Sequence, residues 1–221
     1  MNRFFIIGLI ALFVCSGCSW FAPKEEKSAQ ALAVEGMNCF KDESYGKCIK
    51  TFEKLKDWYP FSKFAMLAEL KIADAHFQLK EYEEAFSAYE EFESLHPRNE
   101  AIPYVVYQMG FCDFVNLSTS DRDQESARKA KATFNRLIKE FPTSEYANKA
   151  EEYIKKCNKS LAEYVLRIGE WNYKTKHYKA ALYRFKDVIA DYPDVGFNKK
   201  ALEYVLLCEA ALKKQESEKK Q

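Results

Sequence analysis

Residues 66–97 read MLAELKIADAHFQLKEYEEAFSAYEEFESLHP. Ile72 and Ala73 sit in a first helical pattern, and Ala85, Tyr89 and Phe92 recur at helical spacing in a second. The stretch ends on Leu95-His96-Pro97, and a proline just past a helix end cannot continue the helix. It therefore reads as two antiparallel helices closed by a proline. The same closure recurs as WYP at 58–60, EFP at 140–142 and DYP at 191–193. Successive closures are 37, 45 and 51 residues apart. These spacings fit a repeat of about 34 residues lengthened by insertions.

The interior columns repeat as well. Measured back from its proline, the unit ending at Pro193 has Ile168 and Gly169, then Ala181, Phe185 and Val188. The unit ending at Pro60 has Glu35 and Gly36, then Cys48, Phe52 and Leu55. The unit ending at Pro142 has Met109 and Gly110, then Ala130, Phe134 and Leu137, with extra residues between its helices. Small residues let two helices approach closely, and aromatics fill the space between neighbouring pairs. The period and columns specify an all-α tetratricopeptide-repeat solenoid, because three or more stacked pairs bury a continuous core. Helices are expected at about 28–41, 44–58, 63–80, 82–95, 101–117, 124–140, 144–175, 178–191 and 197–215. That makes four repeats plus a C-terminal capping helix. The solenoid spans 31–215, and 216–221 form a polar tail.

Composition agrees. The chain has 221 residues, 48% of them hydrophobic, with only 7 glycines and 6 prolines. This is enough apolar material for a packed core. Lys and Arg number 34 against 33 Asp and Glu. A chain with no basic excess is a poor nucleic-acid binder, so no nucleic-acid partner is expected. Most of the 17 Phe and 14 Tyr fit the repeat columns as packing. His76, His96 and His177 are scattered, His76 falls in a core column, and no metal site emerges. Paired acids such as Glu83–Glu84 and Glu90–Glu91 lie on solvated helix faces. Nothing reads as catalytic or cofactor-binding, and an enzyme is not expected.

Two further features concern cysteine. Residues 1–18 read MNRFFIIGLIALFVCSGC. One basic residue precedes an apolar run too short to span a bilayer, which fits a signal peptide. Ser16 and Gly17 then precede Cys18. This resembles the lipobox of bacterial lipoproteins, with Cys15 where Leu is usual. The resemblance implies removal of 1–17 as a signal peptide, lipidation of Cys18 and a tether over 18–30. Ser19, in place of Asp, favours the outer membrane under the lipoprotein sorting rule. Five cysteines remain: 39, 48, 112, 157 and 208. Cys39 and Cys48 are nearly equidistant from the first turn, so they face each other. They either form a disulfide, which requires Cα atoms within about 7 Å, or fill two small apolar columns.

Three strings are more specific than the repeat: YPF at 59–61, YVVYQMG at 104–110, and SDRD at 120–123 followed by Ala127. With the lipobox and DYPD at 191–194, they resemble the BamD family, lipoproteins of the outer-membrane β-barrel assembly (Bam) machinery. The resemblance implies a lipid-anchored protein on the periplasmic face of the outer membrane, without enzymatic activity or cofactor. It implies three kinds of partner: the POTRA portion of BamA, other Bam lipoproteins, and the targeting strand of unfolded β-barrel clients. Tyr59, Pro60 and Phe61 match the family's N-terminal client turn. Asp121, Arg122 and Asp123 match its DRD loop, for which the competing reading is an Asp capping the next helix. Arg184 aligns with an Arg used against the POTRA domain, with pairing to Asp187 as the rival. The family usually completes a fifth helix pair where this chain has one helix. The alternative function is a periplasmic repeat scaffold that coordinates peptidoglycan synthesis or the Tol–Pal system.

Overall fold

A computed structural model describes residues 27–116, 124–193 and 195–219. The described residues form nine α-helices: α1 (Ala29–Lys41), α2 (Tyr45–Trp58), α3 (Ala65–Gln78), α4 (Tyr82–Leu95), α5 (Ile102–Val115), α6 (Glu125–Glu140), α7 (Glu145–Lys174), α8 (Tyr178–Asp191) and α9 (Asn198–Lys219). Each packs on its chain neighbour, and α1 with α3 and α5 with α7 also touch, as in a stack of helix pairs. The expected boundaries hold to within two residues except at the last helix. It continues through Lys219, so the boundary at 215 is corrected. The sequence there is rich in Lys, Glu and Gln, all good helix formers.

The chain makes its turns by two repeated devices. Within pairs, Glu43, Lys80 and Lys176 take φ of 55°, 63° and 64°. The following amides reach back five residues, Ser44 to the Cys39 carbonyl, Glu81 to His76 and His177 to Asn172. This is a Schellman closure built without glycine. Between pairs, Tyr59, His96, Phe141 and Tyr192 share φ between −129° and −136°. Each precedes a proline, whose ring drives the preceding residue out of the helical region.

The columns read from the sequence close into the core. Cys48, Ala85, Ala130 and Ala181 are fully buried, as are Phe52, Tyr89, Phe134 and Phe185. Gly36, Gly110 and Gly169 abut the aromatic column so closely that a Cβ would lie 2.6–2.7 Å from the rings of Phe52, Phe134 and Phe185. The long helix α7 serves two pairs. Its first half buries Ala147, Ala150 and Cys157, and its second half buries Leu166 and Gly169. The first joins the central core with α5 and α6, and the second packs with α8 and α9.

Candidate functional site

The Tyr59-Pro60-Phe61 turn joins α2 to α3. Tyr59 packs its ring on the first core cluster. Its hydroxyl donates to the Lys27 carbonyl at 3.0 Å and so fixes the chain entering α1. The Tyr59 carbonyl accepts from the Ser62 amide, and the Ser62 carbonyl from Ala65, which seats α3. Tyr59 and Pro60 thus hold the turn. Phe61 does not, since its side chain is 101% exposed. Beside this turn Lys27, Ala31, Val34, Glu35 and Asn38 line an open groove of about 770 Å³ along α1. Lys27 Nζ lies 2.6 Å from Glu35 Oε2 and holds that carboxyl below its ordinary range. The groove therefore presents an ion-paired acid and a half-exposed valine, and the turn that holds Lys27 carries a free aromatic.

The YVVYQMG string lies on α5, at the centre of the solenoid. Val105, Val106 and Met109 are buried, and Gly110 receives the Phe134 ring. Tyr104 and Tyr107 face outward only in part. They join Tyr146, Tyr153, Phe111 and Phe114 in a seam between α5 and α7, with ring centroids 4.8–6.1 Å apart. Lys149 and Lys156 lie over Tyr146 and Tyr153 at 4.8 and 4.6 Å. This half-buried aromatic seam is a second surface on which flat apolar groups can stack.

Next to it sits a polar hub that the sequence reading missed. Asp74 is buried on α3. Its Oδ1 accepts from the hydroxyls of Tyr89 at 2.8 Å and Tyr104 at 2.7 Å, and its Oδ2 from Lys71 Nζ at 2.7 Å. Gln108 donates to the Tyr104 oxygen at 3.0 Å. Lys71 also lies 4.8 Å from the Phe40 ring, so α1, α3, α4 and α5 meet through one carboxylate. Burial, then the Asp74 charge, pushes both tyrosine hydroxyls well above their ordinary pKa. The available signal was Tyr89 itself, the only tyrosine in a column otherwise filled by Phe52, Phe134 and Phe185.

The remaining candidates are not brought together. Arg184 lies half-exposed on α8 in the last complete pair, 3.3 Å from Asp187, so the expected rival pairing is present. Cys18 and Asp121, Arg122 and Asp123 lie outside the described residues. The N-cap position of α6 is Gln124, and its side chain makes no cap bond. Cys39 and Cys48 are buried free thiols, and Cys48 Sγ donates to the Gly36 carbonyl at 3.2 Å. The bridge is therefore replaced by the packing alternative. His76 is corrected as well. It lies partly exposed at the end of α3 and pairs with Glu81 at 2.7 Å, because the turn to α4 carries the column to the surface there. Among the described residues no group of three or more His, Cys, Asp or Glu converges as a metal site would require. No described helix is long and apolar enough to cross a membrane.

Comparison with known proteins bears on the whole solenoid. A family profile described as YfiO, outer membrane lipoprotein, matches residues 25–221. A Caulobacter vibrioides protein named outer membrane protein assembly factor BamD is 28% identical over 192 residues, covering 85% of this chain and 63% of that protein. The chain thus spans less than two thirds of that relative's length. The Vibrio cholerae protein of the same name is 26% identical, covering 90% of this chain and 87% of its own length. The Rickettsia prowazekii one is 29% identical, covering 91% and 80%.

Proposed function

The chain belongs to the YfiO family of outer-membrane lipoproteins, and from that premise we propose that it is a lipid-anchored assembly factor for β-barrel outer-membrane proteins. The observation that carries this reading is the family match over the entire solenoid, 25–221, together with relatives named as assembly factors. In this reading Cys18 carries the lipid, and the protein faces the periplasm from the outer membrane.

A scaffold for assembly needs separate surfaces for client and machine, and the candidate residues lie at opposite ends of the solenoid. At the N-terminal end, Phe61 and the α1 groove receive an extended client strand. Such a strand sends alternate side chains to one face, which suits a groove with apolar points and main-chain acceptors. Binding there is weak, because ordering an unfolded segment costs free energy. Weakness permits hand-over. At the other end, Arg184 on α8 meets the POTRA portion of a BamA-like barrel protein, beside other Bam lipoproteins, and Asp121, Arg122 and Asp123 are proposed as further contacts of that partner. Anchoring client and machine at one membrane raises their effective concentration.

The test is a pull-down from native membranes solubilised in mild detergent, using a C-terminal tag. Stoichiometric recovery of a POTRA-containing barrel protein is expected. Recovery of peptidoglycan synthases or Tol–Pal components without that protein would overturn the reading in favour of a periplasmic scaffold.

A further inference from the structure

The closing turns after α2 and α4 lie on one edge of the solenoid, because those two helices run in the same direction, whereas the 30-residue α7 displaces the last turn, whose Tyr192 lies against Lys131 near the start of α6. The edge also holds the starts of α1 and α3. Tyr59 binds the Lys27 carbonyl, Asn99 Nδ2 lies 2.7 Å from Met66 Sδ, and His96 Nε2 lies 2.6 Å from Glu69. The residues two before and one after each proline change character along the chain. They are Trp58 and Phe61, then Leu95 and Arg98, then Glu140 and Thr143, then Asp191 and Asp194. The first two turns therefore carry apolar and basic residues, and the sequence of the last two carries acids and a threonine.

Trp58, Phe61, Met66 and Leu95 are 51%, 101%, 40% and 57% exposed. The residue just before each proline, Tyr59, His96, Phe141 or Tyr192, is half-buried in every turn. Lys56, Lys63 and Arg98 lie within three residues of the apolar group's members in the chain, and the nearest acids are Asp57, Glu69 and Glu93, of which Glu69 pairs with His96 and Glu93 with Arg136. Aromatic and aliphatic side chains rimmed by Lys and Arg are the composition of a surface that rests in a lipid headgroup layer.

We propose that this edge, through Trp58, Met66 and Leu95, seats in the interfacial layer of the bilayer that holds the anchor and leaves Phe61 to the client strand. The proposal rests on the lipid-anchored reading above. From Cys18 to Lys27 the chain has nine residue steps. Fully extended it reaches about 30 Å, so the edge that carries Lys27 stays near the membrane surface. Seating the edge fixes the rotation of the solenoid about its tether. The first pairs lie against the lipid, and the acidic end and Arg184 project away from it. A client strand bound at the α1 groove is then held beside the bilayer it must enter.

The experiment uses the full lipidated chain with Trp20→Phe and Trp171→Phe, leaving Trp58 as the reporter. It is reconstituted into vesicles of equal parts phosphatidylethanolamine and phosphatidylglycerol, with or without brominated acyl chains. Trp58 emission is expected to shift to the blue and to lose most of its intensity with the brominated lipid. Leu95→Asp, which lies outside the client groove, should restore the intensity while the helical circular dichroism stays unchanged. Protein that floats with the vesicles while Trp58 remains unquenched overturns the seating and leaves the assembly reading standing. So does quenching that Leu95→Asp does not change, or a blue shift seen only after a barrel protein is added. Protein that fails to float overturns the anchor and the seating together.

Discussion

Replacing Asp74 by Ala removes one carboxylate and strands three groups that were aimed at it. Tyr89 is fully buried, and its hydroxyl lies 2.8 Å from Asp74 Oδ1, the acceptor it shares with the neighbouring Tyr104 hydroxyl. An orphaned buried hydroxyl costs about 1–3 kcal/mol. Tyr104 loses its acceptor at 2.7 Å but keeps Gln108 as donor, and Lys71 keeps access to water and to Phe40. With the charge-assisted bonds counted, Asp74→Ala should cost about 3–5 kcal/mol, a large share of the ~5–15 kcal/mol that stabilises a domain. For a chain of this length that lowers Tm by roughly 10 °C. The sharper test is a double-mutant cycle in urea. In the wild type, Tyr89→Phe removes a good hydrogen bond and should destabilise by about 1 kcal/mol. In the Asp74→Ala background the same change removes the orphaned hydroxyl and should stabilise. The ring itself fits, since the other three pairs carry Phe in that column. Tyr89→Phe with the same sign in both backgrounds would refute the hub.

Other outcomes follow from single contacts. Gly110→Ala puts a Cβ 2.7 Å from Phe134, whose ring is backed by Tyr153 at 5.6 Å and cannot retreat, so urea unfolding should show a loss of about 1–3 kcal/mol. Lys80 holds φ of 63° as an L-residue, and Lys80→Gly should raise stability by about 0.5–1 kcal/mol in the same assay. Burial raises the thiols of Cys48 and Cys157 to about 11 and that of Cys112 to about 12, from an ordinary 9.0. Groups kept neutral in this way add stability below the unfolded pKa and lose it as pH climbs through the folded one. Melts should therefore fall from pH 9.0 upward through about 11–12, and alkylation in denaturant without reductant should label Cys39 and Cys48 by mass spectrometry. Finally, Arg184→Glu should weaken capture of a POTRA-containing barrel protein by about 1–3 kcal/mol, while unchanged affinity would remove Arg184 from that interface.

The division between what was legible in the chain and what was not follows the range of each interaction. A proline ends the helix before it whatever lies nearby, and a column of Gly facing a column of Phe recurs at a fixed offset. Both signals are local, so the nine helices, the four pairs and the core aromatics were readable from order alone. The Cys39–Cys48 relationship was readable only as a choice, since equidistance from a turn places two residues opposite each other without setting the approach of their sulfur atoms. The Asp74 hub depends on residues 15 and 30 positions away, and the side chains that reach it are set by how α3, α4 and α5 interlock. The exposed apolar edge likewise joins two turns 37 residues apart, aligned because α2 and α4 run parallel. Periodicity belongs to single helices, whereas polar pairing and surface patches belong to the register between helices, which tertiary packing alone decides.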